Sequence, residues 1–304
     1  MAMNSVNTNL GAMVALQSLN RTTDAMDATQ KRVSTGLRVA DAKDDGAAFA
    51  VAQAVRADVA GLTAANEQLG GVKGILDTTL AATRRVSDTM KDIREVLVRL
   101  ADSNVNGDQR VQYQAQFANL VGQVNRFLAD ATYNGRALVG NSAADATARD
   151  VTTVRNEDAV TVAIAGVSGD ALTFTASVGA GTAPALLAAA TVPASAVPAS
   201  AADAQLMLSA TPTAPLKSFA SVETAINNAL NRLGNDANYV DAQIAYNKEK
   251  LDSIEGGLGA LIDADLAKES ARLQALQIRQ QLGTQSLGIA NQAPQALLSL
   301  FGGR

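Results

Sequence analysis

Few side chains in this sequence could form a reactive site. The chain contains no histidine and no cysteine, which excludes a Ser-His-Asp triad, a cysteine nucleophile and a zinc site built from thiolate and imidazole ligands. Carboxylates remain as candidates for acid–base work. Asp263 and Asp265 lie two positions apart on a predicted helix, so the two side chains face different directions and cannot act together. We therefore expect a protein that is not an enzyme and that carries no cofactor.

Residues 41–46 come closest to a metal-binding loop. Their sequence is Asp-Ala-Lys-Asp-Asp-Gly. A calcium loop would need an oxygen ligand at its third position and glutamate at its twelfth, where this chain has Lys43 and Ala52. The segment instead predicts a polar turn that leads into a helix, with carboxylates near the positive end of that helix. We expect no metal site here.

Composition favours long helices and argues against binding to nucleic acid. The 304 residues carry a net charge of −4, and 47% of them are hydrophobic although only 3% are aromatic. An acidic chain lacks the basic surface that many phosphate contacts require, whereas small aliphatic residues suit helices packed side by side. No apolar run approaches the roughly 18 residues of a membrane span. The N-terminal sequence lacks the basic start of a cleaved secretion signal, so we expect none.

Three stretches repeat apolar residues at alternating spacings of three and four, the pattern of helices wound against each other. We call each such line of positions a seam. The first seam consists of Val51, Val55, Asp58, Leu62, Ala65, Leu69, Val72, Leu76, Thr79, Thr83, Val86, Met90, Ile93, Leu97 and Leu100. The second consists of Tyr113, Phe117, Leu120, Val124, Phe127 and Ala131. The third consists of Ile226, Leu230, Leu233, Ala237, Val240, Ile244, Asn247, Leu251, Ile254, Leu258 and Leu261. Replacing its one polar residue, Asn247, by leucine is expected to stabilise the helices.

The two ends of the chain carry weaker seams, which predict paired terminal helices. Gly36 is expected to end the first helix, and residues 256–262 form a matching joint at the other end. Polar residues dilute both terminal seams, so two lone helices should not hold firmly in water. Neighbouring copies of the chain would complete their burial. The expected subunit-packing residues are Leu16, Leu19, Met26, Val33, Leu266, Leu273, Leu276, Leu287, Leu297, Leu298, Leu300 and Phe301.

The middle of the chain, residues 141–216, differs from both ends. It carries six acidic and only two basic residues. Alternating apolar residues predict a β-hairpin with strands near 160–164 and 172–178. A short helix is predicted at 201–208. The rest of 180–216 is predicted to have little regular structure, and deleting 180–216 is expected to leave helicity and filament formation nearly intact. The predicted fold class is thus mainly α: a long antiparallel coiled-coil rod, paired terminal helices and a small hairpin-containing middle.

Several long motifs at the two ends indicate a family. Residues 6–20 read VNTNLGAMVALQSLN, residues 30–52 read QKRVSTGLRVADAKDDGAAFAVA, and residues 131–136 read ATYNGR. Residues 263–301 read DADLAKESARLQALQIRQQLGTQSLGIANQAPQALLSLF. In this order they closely resemble the terminal regions of bacterial flagellin, the subunit of the flagellar filament. Residues 141–216 match no pattern that we can assign.

This resemblance implies an architecture and a role. Residues 1–42 with 262–304 would form the inner domain of the filament, residues 43–140 with 217–261 a helical rod, and residues 141–216 a variable outward-facing segment. The chain would polymerise into an extracellular filament used for swimming, after export through the flagellar type III apparatus. Implied partners are a flagellar secretion chaperone on the C-terminal arm, the filament cap and the hook-junction proteins, with no nucleic acid and no membrane.

The resemblance also implies a recognition face. In flagellins an innate Toll-like receptor reads an Arg-Glu pair on the rod, here Arg94 and Glu95, and an acidic position on the next helix. Alignment on the turn at 133–135 puts Gln116 at that second position. The lost carboxylate predicts weak recognition.

Two other functions are weighed against the filament subunit. A hook–filament junction protein would share the terminal architecture, but the strength of both terminal motifs favours the filament. A metallopeptidase carried on a flagellin frame would need a His-Glu-x-x-His helix, which this sequence lacks.

Overall fold

The computed structural model describes residues 9–105, 107–140, 149–168, 172, 197–209 and 218–301, with side chains of the last helix described as far as residue 292. Within these residues the chain forms six helices, which confirms the predicted mainly α fold. The helices are α1 (Leu10–Thr35), α2 (Gly46–Leu100), α3 (Gly107–Ala129), α4 (Ala201–Leu208), α5 (Phe219–Ile262) and α6 (Leu266–Phe301).

Contacts between Cα atoms divide the chain into two compact units. Met1–Val59 and Asp252–Arg304 form one, which we call the terminal unit, and Ala60–Leu251 form the other, the central unit. This division reflects contacts within a single chain and not contacts with neighbouring subunits. The three-part organisation of a filament subunit stays a prediction.

In the terminal unit, the joint after α1 lies beside the joint after α5. The predicted joint at 256–262 is wrong in its position, because α5 stays helical through these residues and ends at Ile262, and the joint is residues 263–265. α1 ends at Thr35 because Gly36 adopts a left-handed conformation with φ of 73°. Leu37 then forms an antiparallel bridge with Asp263. α2 starts one residue after Asp45, whose carboxylate accepts hydrogen bonds from two backbone N–H groups of the first helical turn. The predicted cap of this helix is therefore confirmed.

The first seam is the centre of the packing in the central unit. All twelve of its positions from Leu62 to Leu100 are buried. The two threonines among them, Thr79 and Thr83, donate their hydroxyl groups to carbonyl oxygens of the preceding helical turn, so neither hydroxyl is left unpaired. The seam fails before Leu62. Val51 is 54% exposed, and its neighbour Ala52 packs instead with a small apolar cluster of the terminal unit.

α2 and α5 run antiparallel in the central unit. Asn66 on α2 contacts Asn247 on α5, and seven residues further along α2, Lys73 pairs with Asp241, which precedes Asn247. The third seam supplies the facing side as far as Leu251, where the central unit ends. None of the eleven positions of this seam is exposed. The second seam on α3 adds Phe117, Val124 and Ala131 to the same core. Both predicted seams are therefore confirmed.

The short helix α4 confirms the prediction for 201–208, but it is part of the central core. Ala204 and Met207 are fully buried there. Gln205 donates a hydrogen bond to the carbonyl oxygen of Ala101, just after the end of α2. The expectation that 180–216 is dispensable does not account for these contacts, because removing the whole segment would uncover apolar core. Periodicity missed this role because eight residues are too short to show a seam.

Two small sheets complete the central unit. Strand β2 (Val151–Val154) pairs antiparallel with β3 (Thr161–Ile164). β1 (Val139–Gly140) pairs parallel with β4 (Val167–Ser168). The predicted strand near 160–164 is confirmed, yet its observed partner precedes it in the chain. The predicted second strand, 172–178, lies outside the described residues except for Leu172, which is buried.

The burial of Met207 leads to a stability prediction. Met207→Ala should lower the free energy of unfolding of the monomer by about 2–5 kcal/mol, because it leaves a cavity in the core. Ala202→Gln changes an exposed position of the same helix and should have an effect within about 0.5 kcal/mol. Urea denaturation followed by circular dichroism measures both. Equal stability of the two variants would show that α4 does not close this core.

Candidate functional site

The pairing of α1 with α6 is the best candidate for a functional surface. The two helices run antiparallel along their length. At one end the side-chain amide of Asn9 donates to the carbonyl oxygen of Ala290 at 2.7 Å. In the middle, Gly283 allows close approach, since a Cβ there would lie 3.2 Å from Cδ1 of Leu19. This confirms the predicted pairing of the terminal helices.

An ion pair lies at the other end of this helix pair, where the backbone N–H of Ala264 also donates to the carbonyl oxygen of Gly36. Nη1 of Arg32 on α1 lies 3.5 Å from Oε1 of Glu269 on α6. The side chain of Glu269 is only 10% exposed, and within the described part of the chain its other carboxylate oxygen has no hydrogen-bond partner. A buried carboxylate that is incompletely paired weakens packing.

The predicted subunit-packing residues whose side chains are described fall into three groups in the single chain. Leu276 is buried. Leu16 and Leu266 are exposed, at 48% and 49%. Five members are only partly exposed: Leu19, Met26, Val33, Leu273 and Leu287. The side chains of Leu297, Leu298, Leu300 and Phe301 lie outside the described residues, so their part in packing stays a prediction.

A second apolar strip on α6 was missed by the seam analysis. Ile278, Leu282 and Ile289 are 58%, 56% and 70% exposed. At about 100° per residue, they fall within roughly 40° of one another and roughly 120–160° around the helix from the buried Leu276. α6 is thus apolar on the side that carries Leu276 and on a second part of its surface. The heptad register predicted for α6 does not include these three residues. Their spacings of four and seven indicate a second register, which could have been found from the sequence.

α1 also leaves apolar surface uncovered. Leu10, Met13 and Val14 are 56%, 62% and 65% exposed. Val14 and Leu282 line the same groove between α1 and α6, so the exposed apolar residues of the two helices meet there. A helix that is apolar on more than one face is normally buried on more than one face. We refer to the exposed residues on the two helices as the outer strips.

The loop between α1 and α2 is organised by charge. Nζ of Lys31 lies 2.5 Å from Oδ2 of Asp41 and 3.1 Å from Oδ2 of Asp44. Hydrogen bonds to Asp41 and Asp44 raise the pKa of Lys31. The hydrogen bond from Lys31 lowers the pKa of Asp41, and the pKa of Asp44 is lowered chiefly by the backbone N–H of Ala40. These residues form a closed turn, which agrees with the interpretation of 41–46 as a polar turn.

A buried polar network links α2, α5 and the β2–β3 hairpin in the central unit. The amide of Asn247 donates to Oδ1 of Asn66 at 3.0 Å and to the carbonyl oxygen of Arg155 at 2.8 Å. Its own Oδ1 accepts from Gln243 at 2.9 Å. Lys250 pairs with Glu157 at the tip of the hairpin, which lowers the pKa of Glu157 and raises that of Lys250. The expectation that Asn247→Leu stabilises the helices takes no account of these hydrogen bonds.

The three residues of the expected recognition face are all exposed. The guanidinium of Arg94 lies 5.6 Å from the ring centroid of Phe219. Glu95 forms an ion pair with Arg99 one turn along the helix. Gln116 is on α3. Both members of the Arg-Glu pair therefore already have partners within the chain.

Two other kinds of site are absent from the described ranges. No group of three or more histidine, cysteine, aspartate or glutamate side chains is arranged there to hold a metal ion. None of the helices in those ranges is long and apolar enough to cross a membrane.

Comparisons with known proteins agree with the motifs. Residues 6–144 match the bacterial flagellin N-terminal helical region, and residues 218–301 match the bacterial flagellin C-terminal helical region. Flagellin FljK of Caulobacter vibrioides is 34% identical, covering 99% of this chain and 100% of its own length. FljJ of the same species is 37% identical over 98% and 99%. A flagellin of Brucella melitensis is 31% identical over 99% and 100%.

A solved structure is similar in fold. It is a putative flagellar hook-associated protein from Vibrio parahaemolyticus, with a TM-score of 0.53 and 14% identity. The match covers 72% of this chain and 100% of that one. At so low an identity, the likeness concerns the fold alone.

The polar network yields a second stability prediction. Asn247→Leu should lower the free energy of unfolding by about 1–3 kcal/mol, because Arg155 and Asn66 would lose a buried hydrogen-bond partner. Asn238→Leu makes the same change at an exposed position of α5 and should stay within about 0.5 kcal/mol of the parent. Chemical denaturation of the monomers compares them. An Asn247→Leu variant more stable than the parent would contradict this account and would support the expectation from the sequence, that leucine at this seam position stabilises the helices.

Proposed function

The chain belongs to the bacterial flagellin family and is a structural subunit of the flagellar filament, and on that premise we propose that the α1–α6 pair is its main polymerisation surface. The observation that carries this proposal is that α6 has apolar residues on two parts of its surface, of which the chain itself buries only one. Leu276 is buried against the chain itself, whereas Ile278, Leu282 and Ile289 remain more than half exposed. A neighbouring subunit would cover these three.

The energetics support this assignment. Complete burial of one leucine or isoleucine side chain stabilises a complex by about 1.5–3 kcal/mol. The outer strips expose several such side chains in each subunit, so contacts with neighbours would bury them repeatedly along a polymer. Contacts between different patches of identical subunits generate an open helical assembly when they do not close into a ring. The predicted packing residues at 297–301 would extend the same surface toward the end of the chain.

We further propose that the chain is exported through the flagellar type III apparatus and that the filament, outside the cell, serves swimming. Threading requires an unfolded chain, and this sequence has no cysteine and hence no disulfide to break. Before export, a flagellar secretion chaperone on the C-terminal arm would shield the apolar faces of α6 from aggregation. The filament cap and hook-junction proteins are the proposed neighbours at the two ends of the polymer.

A hook–filament junction protein is the alternative with the same terminal architecture. The relatives that match along their whole length are flagellins at 31–37% identity, which favours the filament subunit. Electron microscopy of the purified protein distinguishes the two. Long filaments formed by this protein alone support the proposal, and short oligomers under the same conditions would support the junction protein.

The outer strip can be tested by one substitution. Leu282→Gln should leave the monomer folded, because this side chain is already 56% exposed. It should raise the critical concentration for polymerisation roughly tenfold or more, since it removes apolar burial at each subunit contact. Light scattering of polymerising monomers measures this concentration. Gln281→Asn, a polar exchange at the adjacent exposed position, is the control and should polymerise like the parent. Unchanged polymerisation of Leu282→Gln would remove the outer strip from the interface.

Recognition by the innate flagellin receptor is proposed to be weak. Gln116 offers no carboxylate, and the charges of Arg94 and Glu95 already have partners within the chain. Gln116→Glu should strengthen signalling by about ten- to a hundredfold, because a hydrogen bond to a charged group contributes about 1.5–3 kcal/mol. A reporter-cell titration of monomers measures this, with Gln112→Glu, an exposed position one turn away on α3, as the control. Strong signalling by the parent protein, or equal gains from both variants, would contradict the proposal.

A further inference from the structure

The turn between α3 and β1 has an unusual backbone. The N–H of Tyr133 donates to the carbonyl oxygen of Arg136 at 2.8 Å, and the N–H of Arg136 donates to the carbonyl oxygen of Tyr133 at 3.0 Å. Between them, Asn134 has φ of 50° and Gly135 has φ of 74°. Two consecutive positive φ angles inside such a doubly bonded pair define a type I′ turn, in which Asn-Gly is the preferred sequence.

Asn-Gly is also a chemically reactive pair. The backbone nitrogen of the residue after an asparagine can attack the side-chain amide carbon, and glycine hinders this attack least because it has no side chain. Asn134 and Gly135 are both exposed to water. We propose that Asn134 is a site of spontaneous deamidation, and that the folded turn suppresses the reaction.

The reaction proceeds in two balanced steps. The nitrogen of Gly135 forms a bond to Cγ of Asn134, and the side-chain nitrogen leaves as ammonia, which gives a cyclic imide. Water then opens the ring at one of its two carbonyl carbons. Opening at one carbon gives aspartate, and opening at the other gives isoaspartate, in which the main chain runs through the side-chain carboxyl. The net change is the uptake of one water and the release of one ammonia, with no oxidant or cofactor.

The type I′ geometry opposes the first step. Ring closure requires the peptide plane of Gly135 to rotate toward the side chain of Asn134, away from the left-handed conformation that the turn imposes. That rotation breaks both hydrogen bonds between Tyr133 and Arg136. The reaction therefore depends on local opening of the turn, whose free energy is set by the contacts that hold the turn in place.

Those contacts are extensive for an exposed turn. The ring of Tyr133 lies directly on the backbone of α2 at Gly74, where a Cβ would be 2.6 Å from the ring atom Cζ. On the two sides of the turn, Ala131 and Leu138 are 2% and 0% exposed and belong to the central core. Both ends of the turn are thus anchored, although Asn134 itself is in water.

Of the two products, isoaspartate would change the main chain permanently. Isoaspartate adds a methylene group to the main chain between Tyr133 and Arg136, so the two hydrogen bonds of the turn cannot both form again. The extent of deamidation at Asn134 would consequently report how long a chain has stayed unfolded. This inference concerns the turn alone and is independent of the proposed polymerisation surface.

The test compares the folded full-length monomer with the same protein kept unfolded in urea, at one temperature and one mildly alkaline pH. Samples are digested at intervals, and mass spectrometry with chromatographic separation of isoaspartyl peptides follows the peptide that contains Asn134. We expect deamidation in the unfolded chain, and a rate in the folded protein that is lower by roughly tenfold or more, as local opening of an anchored turn requires.

The chain carries its own reference in a second Asn-Gly pair, Asn106-Gly107. In the unfolded chain, Asn134 and Asn106 should react at similar rates, because only their local sequence matters there. Asn134→Gln should abolish the signal at this position, because a glutamine side chain must close a larger and less favourable ring. Equal rates at Asn134 in folded and unfolded protein, or no reaction at Asn134 in the unfolded chain, would overturn the proposal.

Discussion

Burial of one continuous apolar seam on α2 is the interaction on which the rest of the central unit depends. From Leu62 to Leu100 every seam position is buried, and each one needs a facing residue from another element. α5 supplies these residues along the antiparallel pair, α3 supplies them through Phe117 and its neighbours, and α4 adds Ala204 and Met207. Helical propensity alone would not hold so long a helix in one place, since most helical stability in proteins comes from tertiary packing of the apolar face.

Polar groups within this packing specify how the elements are aligned. A seam of similar aliphatic residues would tolerate a shift of one heptad, because the same kinds of side chain would meet again. Asn247 does not tolerate such a shift, since its amide is matched to Asn66 on one helix and to the carbonyl of Arg155 on the hairpin. Gly61 contributes to the same alignment. A Cβ there would lie 3.3 Å from Cα of Glu157, so the hairpin approaches α2 where side-chain bulk is absent.

The terminal unit follows the same packing rule but does not complete it within one chain. Gly283 lets α6 approach Leu19 on α1 closely, yet Ile278, Leu282 and Ile289 on α6 remain more than half exposed. For a protein that acts alone, such exposed strips would be an aggregation hazard. For a filament subunit they are the surface that we propose neighbours cover, and on that proposal incomplete burial in the monomer and polymerisation have the same physical origin.

Much of this molecule follows from sequence alone, because heptad spacing and end signals are local. The second and third seams, the first seam from Leu62 onward, the end of α1 at Gly36, the cap by Asp45 and the short helix at 201–208 could all be identified without coordinates. The terminal motifs identified the family. Tertiary structure decided what depends on residues distant in the chain. It paired Thr161–Ile164 with a preceding strand, brought α4 into the core and gave Asn247 its partners. It also left Ile278, Leu282 and Ile289 exposed. Spacing along the chain tells which residues share a face of a helix, but which face is covered, and by what, is set by elements far away in sequence.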